Sequence, residues 1–336
     1  MFGIRGESMI EEVKTDLYRV ELPLPGNPLK SINSYILKGQ ERNMIIDTGM
    51  NQEACMREMQ AGLKSLGVDL RKTDFFITHF HVDHLGLVAN LATDHSAVYL
   101  SEEDAHRFHE MVFGTLWQDG IDYSRLNGFP ANELREAVPN HLACLYGVKE
   151  PLPFRLARDG DSVGIENYLF RCVETPGHTK GHMCLYEPRA KILISGDHIL
   201  DDITPTVSLR SDDGNPLKEY LASLDKVDGL EIDLVLPGHR KIFKNCRERI
   251  DELRSHHNER LNEIRSILDG GGKTAYEVAS RMRWDVPYDS WNVFPAQQKW
   301  FATGEAISHL KYLEDNGMIG REIQDQKMIF SLGLGH

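Results

Sequence analysis

Apolar positions along the first 240 residues fall into two rhythms. "LYRVEL" (17–22), "NSYILK" (33–38) and "NMIIDTG" (43–49) are short aliphatic and aromatic runs, the last stopped by Gly49, and they predict three consecutive strands. "QEACMREMQAGLKSLG" (52–67) then switches to helical spacing. "DFFIT" (74–78) is a further strand that runs straight into "HFHVDH", with "HLGLVANLA" as a helix behind it. "YLFRCVETPGH" (168–178), "HMCLYEPRAKILISGDH" (182–198, turning near Pro188) and "EIDLVLPGH" (231–239) repeat the device, each ending in a loop that carries His or Asp. Loops held by a rigid sheet are where enzymes place reactive side chains.

Residues 101–153 interrupt this rhythm with a helix-leaning insertion rich in aromatics and Met. It is read either as a lid over the loop ends or as an ordinary helical pair capping the sheet; Trp117 and Tyr123 accordingly line a cleft or fill a core. From about residue 245 the pattern becomes helical: "CRERIDELRSHHNERLNEIRSIL", "TAYEVASRM" and "KWFATGEAISHLKYLEDNG", closed by "REIQDQKMIFSL", which alternates like a hairpin. Three helices and a terminal hairpin suggest a winged-helix-like unit. The expected organisation is therefore a catalytic domain over 1–245 and a smaller domain over 246–336. "SHH" at 255–257 sits among charges and is expected on a solvated helix face.

The 336 residues fit one large domain plus a small one, and 41% hydrophobic with 26% charged residues is ordinary for a soluble globular chain. No window is apolar enough for a membrane helix, and the first sixteen residues lack a secretory signal, so a cytoplasmic setting is expected. Five cysteines without CxxC pairing are read as reduced thiols. The net charge of −13 lies wholly in residues 1–240, because the segment from Lys241 carries fourteen basic and fourteen acidic residues. An acidic main domain weighs against extended nucleic-acid binding.

"FFITHFHVDHLG" (75–86) places His79, His81, Asp83 and His84 within six positions directly after an apolar strand. In extended chain, residues two apart point the same way, so His79 and His81 can reach one ion from one side of the loop. Asp83 and His84, opening a helix, are displaced enough to serve a neighbouring ion. His178, Asp197 and His239 are candidates from the later loops, each beside a glycine that permits close backbone approach. A lone loop histidine is ordinarily a surface or packing residue; the recurrent set predicts a metal site. His182 and His198, close by in sequence, are expected to pack behind the ligands.

The set "THFHVDH", "TPGHT", "SGDH" and "LPGH", with "IDTG" at 46–49, resembles the metallo-β-lactamase superfamily over residues 15–245, especially its glyoxalase II-like branch. The C-terminal part resembles the winged-helix domain appended to some members of that branch. The resemblance implies an α+β chain built as an αββα sandwich with a dinuclear site at one edge: His79, His81 and His178 on one metal, Asp83, His84 and His239 on the second, Asp197 bridging. Asp47 of "IDTG" would steer the ligand loops by hydrogen bonding, a turn-forming role being its alternative. Flavodiiron members carry Glu where this chain has His81, which disfavours that branch. The complete ligand set differs from true β-lactamases, and the C-terminal unit does not resemble the glutathione-gripping helices of glyoxalase II.

Two divalent ions sharing a water lower its pKa toward neutrality, so hydroxide is the expected nucleophile, on a small thioester, lactone or other ester. Asp83 is the expected catalytic carboxylate, orienting that nucleophile and taking its proton. Zinc is the expected metal, while iron or manganese would also be held. An RNA or phosphodiester endonuclease is the alternative of a different class, and it lacks a basic track here. A mononuclear-iron persulfide dioxygenase is a further alternative, opposed by a paired site. Near "TAYEVASRM" only Arg281 and Arg283 are basic, which argues against DNA reading. The expected partner is a small-molecule substrate, with no membrane partner and a homodimer left open.

Overall fold

The computed structural model describes residues 10–333. Its first sheet has seven strands in chain order: β1 (Ile10–Lys14), β2 (Leu17–Pro23), β3 (Ser31–Leu37), β4 (Asn43–Ile46), β5 (Thr73–Phe76), β6 (Val98–Ser101) and β7 (Phe154–Ala157). The second comprises β8 (Ser162–Ile165), β9 (Tyr168–Glu174), β10 (Met183–Glu187), β11 (Ile192–Gly196) and β12 (Leu234–Pro237), ordered β12-β11-β10-β9-β8. A terminal hairpin pairs β13 (Ile319–Gln324) with β14 (Lys327–Leu332). The helices are α1 (Glu53–Leu66), α2 (Val82–Leu85), α3 (Val88–Leu91), α4 (Glu102–Phe113), α5 (Leu116–Leu126), α6 (Ala131–Ala137), α7 (Leu142–Tyr146), α8 (Pro216–Asp228), α9 (Cys246–Leu268), α10 (Ala275–Ala279) and α11 (Ala296–Asp315).

Strand alternation builds the layers. Tyr35, Leu37, Met44, Ile46 and Phe76 of the first sheet meet Cys172, Met183, Leu185, Ile192, Ile194 and Leu236 of the second in one buried cluster. Their chain neighbours point the other way: Ile36, Ile45 and Phe75 pack with Met59 and Leu63 of α1, while Val173, Cys184, Leu193 and Val235 pack with α8 and α9. Side chains one residue apart face opposite sides of a strand, so each sheet buries both faces and helices cover the outside, giving an αββα sandwich. "SLG" stops α1 as its composition suggests, with Gly67 in the left-handed conformation.

The first sheet is antiparallel from β1 to β4 and parallel from β4 to β7, and β11 pairs parallel with β12. Parallel neighbours require crossover connections, which align the carboxyl ends of β4, β5, β11 and β12. Ligands of open α/β sheets bind beyond such ends, and there this chain carries Asp47, the "THFHVDH" loop, Asp197 and His239.

The three helices and terminal hairpin expected at the C-terminus are present, and the apolar face of α9 and α11 is continuous with that of α8 and the outer face of the second sheet. One expectation fails there. His257 is buried and its Nδ1 lies 3.1 Å from His309 Nε2 on α11, because α11 covers the α9 face that the charged neighbours make look solvated. The 101–153 insertion holds α4 to α7; Tyr123 joins the core, whereas Trp117 packs against Trp300 of α11 at 6.4 Å between ring centroids. No described helix is long and apolar enough to cross a membrane.

Candidate functional site

All seven sequence-predicted residues come together at one edge of the sandwich. The rings of His79, His81 and His178 are mutually 4.6, 4.8 and 4.7 Å apart between centroids. His178 Nε2 lies 3.0 Å from His81 Nδ1. On the other side, His239 Nε2 lies 3.4 Å from Asp83 Oδ2, and the His84 and His239 rings are 5.4 Å apart. Asp197 stands between the two groups: its carboxylate is 3.7 Å from His178 Nε2 and 3.5 Å from both His84 Nε2 and His239 Nε2. Ligand-type atoms fall within 4.8 Å of one another in three overlapping sets, His79–His81–His178, His79–His84–Asp197 and Asp83–His84–His239.

The backbone explains this convergence. Gly196 has φ +49, and a Cβ there would stand 2.6 Å from His182 Nε2 and 2.8 Å from Thr78 Oγ1. A Cβ on Gly238 would stand 2.6 Å from Asp197 Oδ1 and 2.8 Å from His84 Cε1. Only glycine lets the β11 and β12 loops approach so closely.

Four of the five candidate imidazoles, those of His79, His84, His178 and His239, are anchored through their outer nitrogen. His178 Nδ1 donates to Thr206 O at 2.8 Å and His239 Nδ1 to Ser31 O at 2.7 Å, which leaves Nε2 of each free to accept. His84 Nδ1 lies 2.7 Å from Asp47 Oδ2, and His79 Nδ1 lies 3.1 Å from Thr78 Oγ1. The inward atoms are left over: Nε2 of His79, His84 and His239 and Oδ1 of Asp197 are sealed from solvent without a hydrogen-bond partner. Buried polar atoms carry a desolvation cost unless paired, so four such atoms aimed at one another fit divalent cations.

The electrostatics agree. Burial opposes a charge on His239, but Asp197 and Asp83 outweigh it and lift the imidazole to about 10. Burial likewise opposes charge on His84, yet Asp47 and Asp197 raise it well above the ordinary range. His81, buried and facing His178, is instead pushed down to about 3. A site that pulls protons onto two imidazoles with buried carboxylates is a site of negative potential, suited to cations.

Asp47 holds a left-handed backbone, φ 58, and its carboxylate accepts from Thr78 N and Thr78 Oγ1, both at 2.8 Å, besides the His84 ring. Such strain persists where the surroundings enforce it. An Asp47→Asn chain is expected to lose about 10- to 100-fold in metal affinity or turnover, because the amide cannot hold Thr78 and the His84 ring together. Chelator competition and steady-state kinetics measure it. His182 packs behind the candidate ligands, taking the Asp197 amide at 3.1 Å on Nε2 and meeting Thr175 Oγ1 at 2.8 Å through Nδ1.

Asp104, at the start of α4, escapes sequence reasoning. Its carboxylate accepts from Phe80 N at 3.1 Å, Thr179 Oγ1 at 2.7 Å and Gly181 N at 2.8 Å, tying the His79–His81 loop to the His178 loop. Burial pushes its carboxyl up to about 6 despite these donors. The Ser101 cap on its amide marks only the start of the helix. Beyond the imidazoles opens a cavity of about 800 Å³ whose walls include Trp117, His141, Arg210, Trp300 and Phe301 together with His81, His178 and Asp197.

A two-sheet sandwich flanked by helices, opening at its strand ends onto imidazoles and carboxylates that can hold divalent metal ions, defines a metallo-hydrolase. The chain belongs to the metallo-beta-lactamase superfamily, whose family model matches residues 27–239. It is similar to a probable metallo-hydrolase of Bacillus subtilis, 23% identical over 89% of this chain and 92% of that protein. It is also similar to the human acyl-coenzyme A thioesterase MBLAC2, 26% identical over 63% of this chain and 74% of that one. Among solved structures, a metallo-beta-lactamase family protein of Thermus thermophilus superposes with a TM-score of 0.79 at 28% identity, covering 96% of this chain and 100% of its own.

Proposed function

We propose that the protein hydrolyses small thioesters at a pair of divalent metal ions, in the manner of the glyoxalase II-like branch. His79, His81 and His178 would hold one ion, Asp83, His84 and His239 the second, and Asp197 both. The observation that carries this reading is the set of inward, unpaired, buried atoms on His79, His84, His239 and Asp197, each imidazole already fixed from behind. Thioesters are preferred to other esters because of the similarity to an acyl-coenzyme A thioesterase. All-nitrogen and oxygen donors suit zinc first.

Two divalent ions supply, when bound, an acidified water and a Lewis acid for the carbonyl oxygen. The protein's own part is positional. Asp83, beside His239, orients the attacking water and holds its proton. Asp47, Thr78 and the Ser31 and Thr206 carbonyls keep the imidazoles from turning away. The aromatic walls of the cavity, Phe80 and Trp117 among them, exclude bulk water from the acyl group. The C-terminal helices and hairpin, a winged-helix-like unit in this reading, serve as a wall of that cavity through α11. A cytoplasmic setting accords with five free cysteines.

Metal analysis combined with a hydrolysis panel of thioesters, lactones, phosphodiesters and RNA tests the reading. Two ions per chain and preferential thioester turnover are expected. Preferential cleavage of RNA would overturn it.

A further inference from the structure

Arg210 lies on the loop between β11 and α8, and among the described basic residues that line the cavity it is the one that no carboxylate engages. Its Nη1 is sealed from solvent and has no hydrogen-bond partner, and no carboxylate of the described residues forms an ion pair with it. Lys180 and Arg107, which also line the cavity, are by contrast both engaged by Asp213, at 2.8 and 3.6 Å. Removing an arginine from water without a counter-charge is costly. Burial pushes the Arg210 guanidinium down to about 10, and in an acidic chain of net charge −13 no lack of carboxylates explains the omission.

The fold holds this side chain in place deliberately. The guanidinium carbon stands 4.2 Å from the Trp300 ring centroid and 5.4 Å from that of Phe301, so the aromatic rings occupy its face. Stacking uses the face and leaves the planar N–H edge, whose fork geometry matches an oxyanion. The Leu209 amide donates to Gly304 O of α11 at 3.0 Å, tethering the loop one residue away. Ser208, lining the same cavity, likewise has a sealed and unpaired Oγ. Thr206, whose carbonyl anchors His178, is four residues before Arg210, so the two Cα atoms are at most about 14 Å apart. A small molecule can span from the candidate metal centre to the arginine.

We infer that Arg210 is the specificity residue of this cavity, and that the substrate is a thioester bearing a compact oxyanion, a carboxylate or a phosphate, which the Arg210 guanidinium and Ser208 hydroxyl receive. The inference deepens the hydrolase reading and rests on it. The oxyanion has two sources, the acyl chain or the thiol leaving group, and α11 is the element that presents its receptor.

The test compares matched substrates on the metal-loaded full-length protein. One arm sets a glutaryl thioester against its neutral amide analogue on a common thiol; the other sets acyl thioesters of phosphopantetheine against those of pantetheine. In one arm the anionic substrate is expected to exceed its neutral partner in kcat/KM by about 10- to 150-fold, the range of a charged hydrogen bond in a buried site. Arg210→Met is expected to erase that preference, mainly through KM, with metal content unchanged; Arg210→Lys should restore part of it. Equal rates for both members in both arms with the wild-type protein overturn the inference without any variant, and so does a variant that slows neutral and anionic substrates alike. Hydrolysis of the neutral thioesters tests the hydrolase reading separately, since its loss would remove both members of each pair.

Discussion

Asp197→Ala is expected to bind fewer than two ions per chain and to lose thioester turnover by roughly 10³-fold, since the Lewis-acid contribution of a metal is worth several kcal/mol of transition-state stabilisation. The reason lies in where the carboxylate stands. It is within 3.7 Å of His178 on one side and 3.5 Å of His84 and His239 on the other. Without it, the carboxylate left on the inward side of the imidazoles among the described residues is Asp83, beside His239, since Asp47 holds the His84 ring from behind. On the proposed dinuclear reading, two dications held a few ångströms apart would then lack the shared negative charge that offsets their repulsion. Stripping the wild-type protein with a chelator should produce the same loss, reversed by added zinc. Metal content by mass spectrometry and initial rates on one thioester read the outcome; a variant that keeps two ions and its full rate refutes the bridging role.

The parts of the site visible in the sequence are those whose signal is local. "HFHVDH" compresses four polar side chains into one loop after an apolar strand, and "PGH" or "GDH" at later strand ends repeats a turn that only glycine permits. The strands that carry them were legible for the same reason, as their aliphatic runs are buried on both faces. What remained hidden depends on partners remote in the chain. Asp104 meets Thr179 across 75 positions, and nothing in "SEEDAHRF" distinguishes it from the acidic first turn of any helix. Arg210 sits in an ordinary polar loop, and its role emerges only when α11, ninety residues on, supplies the stacking rings. Strands β1 and β8 carry no such signal because they are short and half exposed, each at an edge of its own sheet. His257 reads as solvated in the sequence because helical periodicity alone cannot say that a second helix covers the face.

A chain ending at residue 245 is expected to be insoluble or to lack a cooperative thermal transition, although the candidate ligands all precede that point. The outer face of the second sheet and α8 contribute Val173, Cys184, Leu193, Leu217, Tyr220, Leu224, Val227 and Val235 to a cluster whose other half is Ile250, Leu253, Ile264, Leu310 and Leu313 of α9 and α11. Each large aliphatic side chain returned to water costs about 1.5–3 kcal/mol, against a total folding stability of about 5–15 kcal/mol. Uncovering even half of that face therefore exceeds what a domain of this kind can lose. The damage also has a route to the candidate metal ligands. His257 of α9 packs edge-on to Tyr220, 5.2 Å between ring centroids, and the Tyr220 hydroxyl donates to the carbonyl of His198 at 2.9 Å, next to Asp197. A milder disturbance follows the same path: Tyr220→Phe keeps the packing but drops that hydrogen bond, and is expected to lower metal affinity more than thermal stability. Calorimetry and metal titration on the truncated and substituted chains distinguish the two effects. A soluble 1–245 fragment that melts cooperatively and binds two ions would show that the C-terminal helices are dispensable to the site.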